Sequence, residues 1–289
     1  MNLTMNITAA QVNELRKKTG AGMMDCKNAL VEANGDMTKA VEILRKKGTS
    51  VAAKRADKSA NEGMVLTKIS DNGKLGTILE INCETDFVAK SQEFINLANK
   101  SIESAFKIRP ASVDNLLQSD PNLNDMLNDV LGKVGEKIEI SRLANEDANN
   151  GFLIDYIHMG SKLGVMVKLD NVKNGDTELV NIGKDIAMQI AAMNPICVTR
   201  EEVAKDTIDK EIEIYKEIAR KEGKPEQILE KIALGKLNKF YQENVLLEQA
   251  FIKDNSKSVS DLIKEYNQKH KTDAKVVRFH RFHLGDEKK

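Results

Sequence analysis

The chain has 289 residues, with 44 Lys+Arg against 44 Asp+Glu, 30% charged and 41% hydrophobic. A formal net charge of zero argues against a general nucleic-acid binder that works by neutralising phosphates. No apolar run approaches the roughly 20 residues a membrane span requires, and the length suits about two or three domains with more than one core.

In chain order, "MNLTMNITAAQ" has neither a basic start with an apolar centre nor an Arg-rich amphipathic pattern, so no secretory signal or transit peptide is expected. Thr8 and Gln11 form a capping box, and Val12 and Leu15 open a first helix that "TGAG" interrupts at residues 19–22. A second helix from about Met23 carries Cys26, Leu30 and Ala33 on one face and ends at Asn34-Gly35. Asp36 caps a third, with Ala40, Ile43 and Leu44 inward and Gly48 as its stop. So small a core is marginal alone, which leaves its apolar surface to be completed by something else.

After a linker without sustained periodicity, residues 49–63, the period changes to that of strands. "MVLTKIS", a turn at Asp71-Asn72-Gly73 and "KLGTILEIN" predict a β-hairpin. A helix is predicted from Asp86 to about Phe106, with Phe94, Leu97, Ala98, Ile102 and Ala105 inward. The unit then recurs. "GMVLTKISDNGKLGTILEIN" from Gly63 and "GFLIDYIHMGSKLGVMVKLD" from Gly151 align at a constant offset that superposes Lys74-Leu75-Gly76 on Lys162-Leu163-Gly164. The second copy leads into a helix from about Thr177 to Met193, stopped at Asn194-Pro195. A strand at about Lys137 to Leu143 is expected to pair with the second hairpin.

From Val203 to Leu247 the spacing predicts a long helical hairpin broken at "EGKPEQ". Phe251-Ile252 and "AKVVRFHRFHL" read as β, separated by a helix capped by Ser258 and Asp261, and "GDEKK" reads as a frayed tail. The fold class is α+β. The expected organisation is a three-helix domain over 1–50, a linker over 51–62, a core N-subdomain over 63–145 and a core C-subdomain over 146–289. The last includes an arm over 200–247 and a C-terminal module over 250–289.

Chemistry is sparse in this pattern. There is no GxxxxGK[ST] loop, and "TGAGMMD" lacks the preceding strand and third glycine of a dinucleotide fingerprint. Cys26, Cys83 and Cys197 lie far apart without CxxC spacing, which argues against a disulfide framework and a zinc site and suits a reducing cytosol. His280 and His283, three apart in a strand, point to opposite faces, so no shared metal is expected. His158 at the second hairpin tip is either an exposed turn residue or a partner contact. Two readings of Asp86-Phe87 also stand: Thr85 as N-cap, Asp86 facing the helix dipole and Phe87 in the core, or Phe87 pointing outward as a preorganised wedge.

The stretches "MNITAAQVNELRKKTGAGMMDCKNALVEANGDMTKAVEILRKKG" and "ILEINCETDFVAKSQEF", with "GEKIEISR" from Gly135, "HMGSKLGVMV" from His158 and "SVSDLI", closely resemble the elongation factor Ts family. That family consists of bacterial nucleotide-exchange factors of elongation factor Tu, and the likeness covers almost the whole chain. It implies a ubiquitin-associated-like N-terminal domain, duplicated α+β core subdomains, a coiled-coil insertion and a C-terminal module. It also implies that Thr85, Asp86, Phe87 and Val88 intrude near the magnesium site of elongation factor Tu. By the same resemblance Gly20, Gly22, Met23, Asp25 and Lys27 contact the partner's nucleotide-binding domain. Gly135, His158, Gly160 and Ile252 fall in further partner-facing stretches. The implied activity is guanine nucleotide exchange in the cytoplasm, without enzyme chemistry, cofactor, metal, membrane or direct nucleic-acid contact. An RNA-associated or chaperone-like scaffold, using the arm and the basic linker residues Lys54, Arg55 and Lys58, is the alternative.

Overall fold

A computed structural model describes residues 7–55, 57–172 and 176–286, with 49–54 as backbone only. Three helices open the chain: α1 (Ala9–Thr19), α2 (Met23–Glu32) and α3 (Met37–Lys54). The Thr8–Gln11 capping box starts α1, and Asp36 Oδ1 accepts from the backbone N–H groups of Thr38 (2.9 Å) and Lys39 (3.1 Å) at the start of α3. Val12, Leu15, Cys26, Leu30 and Ala40 form their core.

Gly48 does not stop α3, and the helix runs on into the expected linker as far as Lys54. The reason is a helix crossing. A Cβ at Gly48 would lie 2.4 Å from the Asn128 carbonyl oxygen, and one at Gly132 would lie 3.0 Å from the Gly48 Cα. The glycine that reads locally as a terminator is instead the point where two backbones meet.

The first strand unit is β1 (Glu62–Ile69), β2 (Leu75–Cys83), α4 (Asp86–Ala89) and α5 (Gln92–Ile108). The single helix expected from Asp86 is therefore two, because Ser91 caps α5 by accepting from the Phe94 N–H at 3.3 Å. Two further helices, α6 (Val113–Ser119) and α7 (Pro121–Val134), precede β3 (Ile138–Asp147). Their signals were present in Ser112 and Asp120 as caps, Pro121 in the first turn and Gly135 as a left-handed end. Strand β3 pairs with β2, not with the second hairpin as expected, and gives the order β1-β2-β3.

The second unit repeats this plan: β4 (Gly151–Ile157), β5 (Leu163–Asp170) and α8 (Thr177–Met193). The chain then makes an antiparallel helical excursion, α9 (Lys205–Lys221) and α10 (Glu226–Asn244), and a small hairpin, β6 (Ala250–Phe251) and β7 (Asp254–Ser258). After α11 (Val259–His270), strand β8 (Lys275–His283) closes the second sheet in the order β4-β5-β8. The C-terminal strand thus fills in the second sheet the place that β3 fills in the first.

The two sheets pack face to face through Val65, Ile78, Leu153, Met166 and Phe282. On the outer faces, α5, α6 and α7 cover the first sheet, and α8 and α11 cover the second. The packing is pseudo-twofold, related by the 88-residue offset from Gly63 to Gly151. The Val65 N–H donates to Ser161 O (2.7 Å), and the equivalent Leu153 N–H donates to Gly73 O (2.8 Å). Gly76 lies against Leu153 and Met166, and Gly164 against Val65 and Ile157, where a Cβ would come within 2.6 Å of a neighbouring side chain. Even the register shifts correspond, at Glu80/Ile81 and Lys168/Leu169. The repeated "KLG" therefore marks where each sheet must approach the other closely. Among the described residues no helix is long and apolar enough to cross a membrane.

Candidate functional site

At the end of β2 the chain leaves the sheet through a tightly held corner. The Thr85 Oγ1 accepts from the Val88 N–H (3.4 Å) as N-cap of α4 and donates to Glu136 Oε1 (2.9 Å), while the Thr85 N–H donates to Glu136 Oε2 (3.1 Å). One residue earlier, Glu84 accepts from Arg55 Nη1 (2.7 and 2.8 Å) and from the Lys137 N–H (2.6 Å). Burial pushes the Glu84 pKa up, but the Lys137 and Arg55 hydrogen bonds outweigh it and leave it below the ordinary value. Beneath the corner, burial first and then the Glu136 and Glu62 charges push the Cys83 thiol up to about 12, so it is an inert structural thiol.

On this base Val88 points into the core, Asp86 pairs with Lys90 at 2.7 Å, and Phe87 is 83% exposed. The hydrogen bond from Lys90 keeps the Asp86 carboxyl below its ordinary range. The core-packing reading of Phe87 is overturned: Phe94, Leu97 and Ile81 fill that core without it. Exposing a phenyl ring forgoes about 2 kcal/mol of burial, and the cost is borne on a corner with fixed geometry.

The tip of the second hairpin stands beside this corner. Asp86, Ala89 and Lys90 share a shallow depression with Glu62, Gly160 and Lys162. Gly160 (φ 89°) and Ser161 (φ 56°) turn the tip, Lys162 pairs with Glu62 at 2.6 Å, and His158 Nδ1 lies 2.8 Å from the Tyr156 hydroxyl. Met159 at the apex is 92% exposed. The fold thus brings Asp86 and Gly160, which are distant in sequence, to one depression.

The remaining expected residues are placed elsewhere. Met23 and Lys27 are exposed on α2, and Gly22 is its N-cap. Asp25 pairs with Lys47 across the three-helix module, and Gly20 faces Lys133 of α7, so these two serve internal contacts. Gly135 ends α7 in the left-handed region (φ 70°) and aims Glu136 back at Thr85. Ile252 is 46% exposed at the β6–β7 turn, where its N–H donates to the buried Gln189 side chain at 2.8 Å. His280 bonds Glu146 and His283 bonds the Gly285 N–H, so the two rings serve different groups. Of the linker cations, Arg55 is engaged by Glu84, the Lys58 carbonyl accepts from Lys137, and the Lys54 side chain lies outside the described residues. So do residues 287–289 of the expected tail, whose Asp286 is tied to Arg281.

Sequence reasoning found Thr85 and named Arg55 only as a basic linker residue, and it missed Glu84 and Glu136. Acidic residues at a strand end carry no periodic signal; only the pairing of β2 with β3 brings them together.

Fold and site together define a mixed α+β protein that presents an outward-facing acid and aromatic on a corner hydrogen-bonded from beneath. A family model described as elongation factor TS matches residues 84–286. The chain is 46% identical over 287 residues to elongation factor Ts of Chlorobium phaeobacteroides (strain BS1), covering 96% of this chain and 99% of that one. It is 47% identical over 282 residues to that of Christiangramia forsetii (96% and 99%), and 42% identical over 286 residues to that of Clostridium botulinum (97% and 93%). The chain belongs to the elongation factor Ts family, and its role is in translation elongation.

Proposed function

We propose that the chain is a guanine nucleotide exchange factor that binds elongation factor Tu carrying GDP, disturbs its magnesium and phosphate site and promotes GDP release, so that GTP can bind. The observation that carries this reading is Phe87, exposed beside Asp86 on a corner whose backbone is fixed from beneath. Phe87 wedges between partner side chains while Asp86 perturbs the ordered shell around the partner's metal. No covalent step is involved, and the factor is not an enzyme in the chemical sense.

The physical requirement is linkage. A factor speeds release only if it binds better to the state in which nucleotide is loosened, and by reciprocity GDP weakens the factor's binding equally. A thousandfold acceleration asks for about 4 kcal/mol of differential stabilisation, within reach of a few central contacts in a standard interface. In the same proposal, the three N-terminal helices form a ubiquitin-associated-like domain that docks on the partner's nucleotide-binding domain through α2. His158, Gly160 and Ile252 add contacts, α9 and α10 form a coiled-coil arm, and the site of action is the cytoplasm.

The test is release of labelled GDP from elongation factor Tu with and without the protein, repeated with Asp86→Ala and Phe87→Ala, with complex formation measured separately. The parent is expected to accelerate release and both variants to do so less. Equal acceleration by the variants rejects the wedge.

A further inference from the structure

We propose that Glu84 and Glu136 form a reciprocal clasp that positions the exchange corner, and that Arg55 ties this clasp to the N-terminal helices; the inference rests on the exchange reading above. The β2–β3 ladder ends at Cys83 opposite Ile138. Beyond it the two segments would next pair at 84 with 137 and 85 with 136, but the backbone peels away into α4. Side chains replace the missing rungs crosswise. Glu84 on one segment takes the Lys137 N–H (2.6 Å) of the other, and Glu136 takes the Thr85 N–H (3.1 Å) in return. The carboxylates thereby satisfy two donors that the departing ladder leaves, and charge-assisted bonds to backbone N–H groups are the stronger kind.

The clasp also carries a connection. Glu136 reaches Thr85 because Gly135 ends α7 in a left-handed turn. Helix α7 touches α3 backbone to backbone at Gly132 and Gly48, and Arg45 of α3 pairs with Asp125 of α7 at 3.3 Å. Arg55, just beyond the end of α3, binds both oxygens of Glu84. Helix α3 therefore meets the corner by two routes, one through α7 and Glu136 and the other through Arg55 and Glu84. None of these three residues is expected to touch the partner's nucleotide site; they act through Phe87 and Asp86.

The test is a double-mutant cycle in the full chain, read as the maximal rate of GDP release from elongation factor Tu and the factor concentration giving half of it. Glu136→Ala is expected to lower the maximal rate about tenfold with little change in half-saturation, and Glu136→Gln, which keeps an acceptor for the Thr85 N–H, to recover part of the loss. Arg55→Ala is expected to lower it less. In a Phe87→Ala background, Glu136→Ala should add little, because its effect passes through the ring. A full additional loss in that background, a change in half-saturation alone or an unchanged rate overturns the positioning role. If the parent protein does not accelerate GDP release, the exchange reading fails instead, and if Phe87→Ala alone leaves exchange intact, the wedge fails, so the failures are distinguishable.

Discussion

The two strand units share register, offset and inter-sheet contacts, yet their strand-to-helix junctions differ. In the first, a one-turn helix is inserted between Cys83 and Gln92, and Phe87 is left outside. In the second, Asp176 caps α8, accepting from the Leu179 N–H at 3.1 Å, and its other oxygen accepts from the Tyr266 hydroxyl of α11. Duplication supplied the frame twice; in one unit the helix cap is tied to α11, and in the other the junction presents a ring. The lesson is that display depends on how each junction is built, not on the frame beneath it.

The frame's equivalence is the easiest part to break. A Cβ at Gly151 would lie 1.6 Å from Leu169 O, and one at Gly63 2.1 Å from the equivalent Ile81 O. Gly151→Ala and Gly63→Ala should each destabilise by about 3 kcal/mol, measured by denaturant unfolding. A large loss at only one would show that the units do not pack alike.

Next in size is Glu146, nearly buried where the sheets meet, with Lys168 and His280 each at 3.1 Å. Burial pushes its pKa up, but the His280 and Lys168 contacts hold it below the ordinary 4.5. Its folded value being the lower, its contribution is present above pH 4.5 and lost as pH falls through that folded value. Glu146→Gln should cost about 2 kcal/mol at pH 7, and the deficit should shrink in acid unfolding measured below pH 4.5. A deficit independent of pH would remove the electrostatic account.

Phe87 should behave in the opposite way. Phe87→Ala is expected to change stability by less than about 0.5 kcal/mol while slowing GDP release from elongation factor Tu; a large loss of stability would return the ring to a structural role. The smallest expected effect is none at all. Cys83, with its pKa pushed up to about 12, should resist alkylation at pH 8 in the folded protein and react only on unfolding, as read by mass spectrometry. Ready labelling of the native chain would mean that the corner opens.

Much of this was legible in advance. The capping boxes at Thr8 and Ser258, the turn at Gly73, the inward face of α5 and the span of α8 all stand where the spacing puts them. So does the strand-to-helix seam at Asp86. These are local signals, carried by residues three or four apart in a helix or alternating in a strand. Some local signals went unread, the Ser91 cap that separates α4 from α5 and the caps of α6 and α7; the other failures were nonlocal. Residues 137–143 read correctly as a strand, but their partner is β2, and nothing in their own pattern chooses between two similar hairpins. Gly48 looked like a stop because the crossing with Gly132 is 84 positions away in the chain.

By itself the sequence determined the elements, the internal repeat and the family, because periodicity, caps and long matching stretches are all written along the chain. Only the tertiary structure decided that Phe87 faces solvent, that Gly160 stands beside Asp86, and that Glu84 and Glu136 clasp the corner from beneath. The physical reason is that orientation at a junction is set by competition for core space and for unpaired backbone donors. Both are settled by segments that meet only when the sheets assemble.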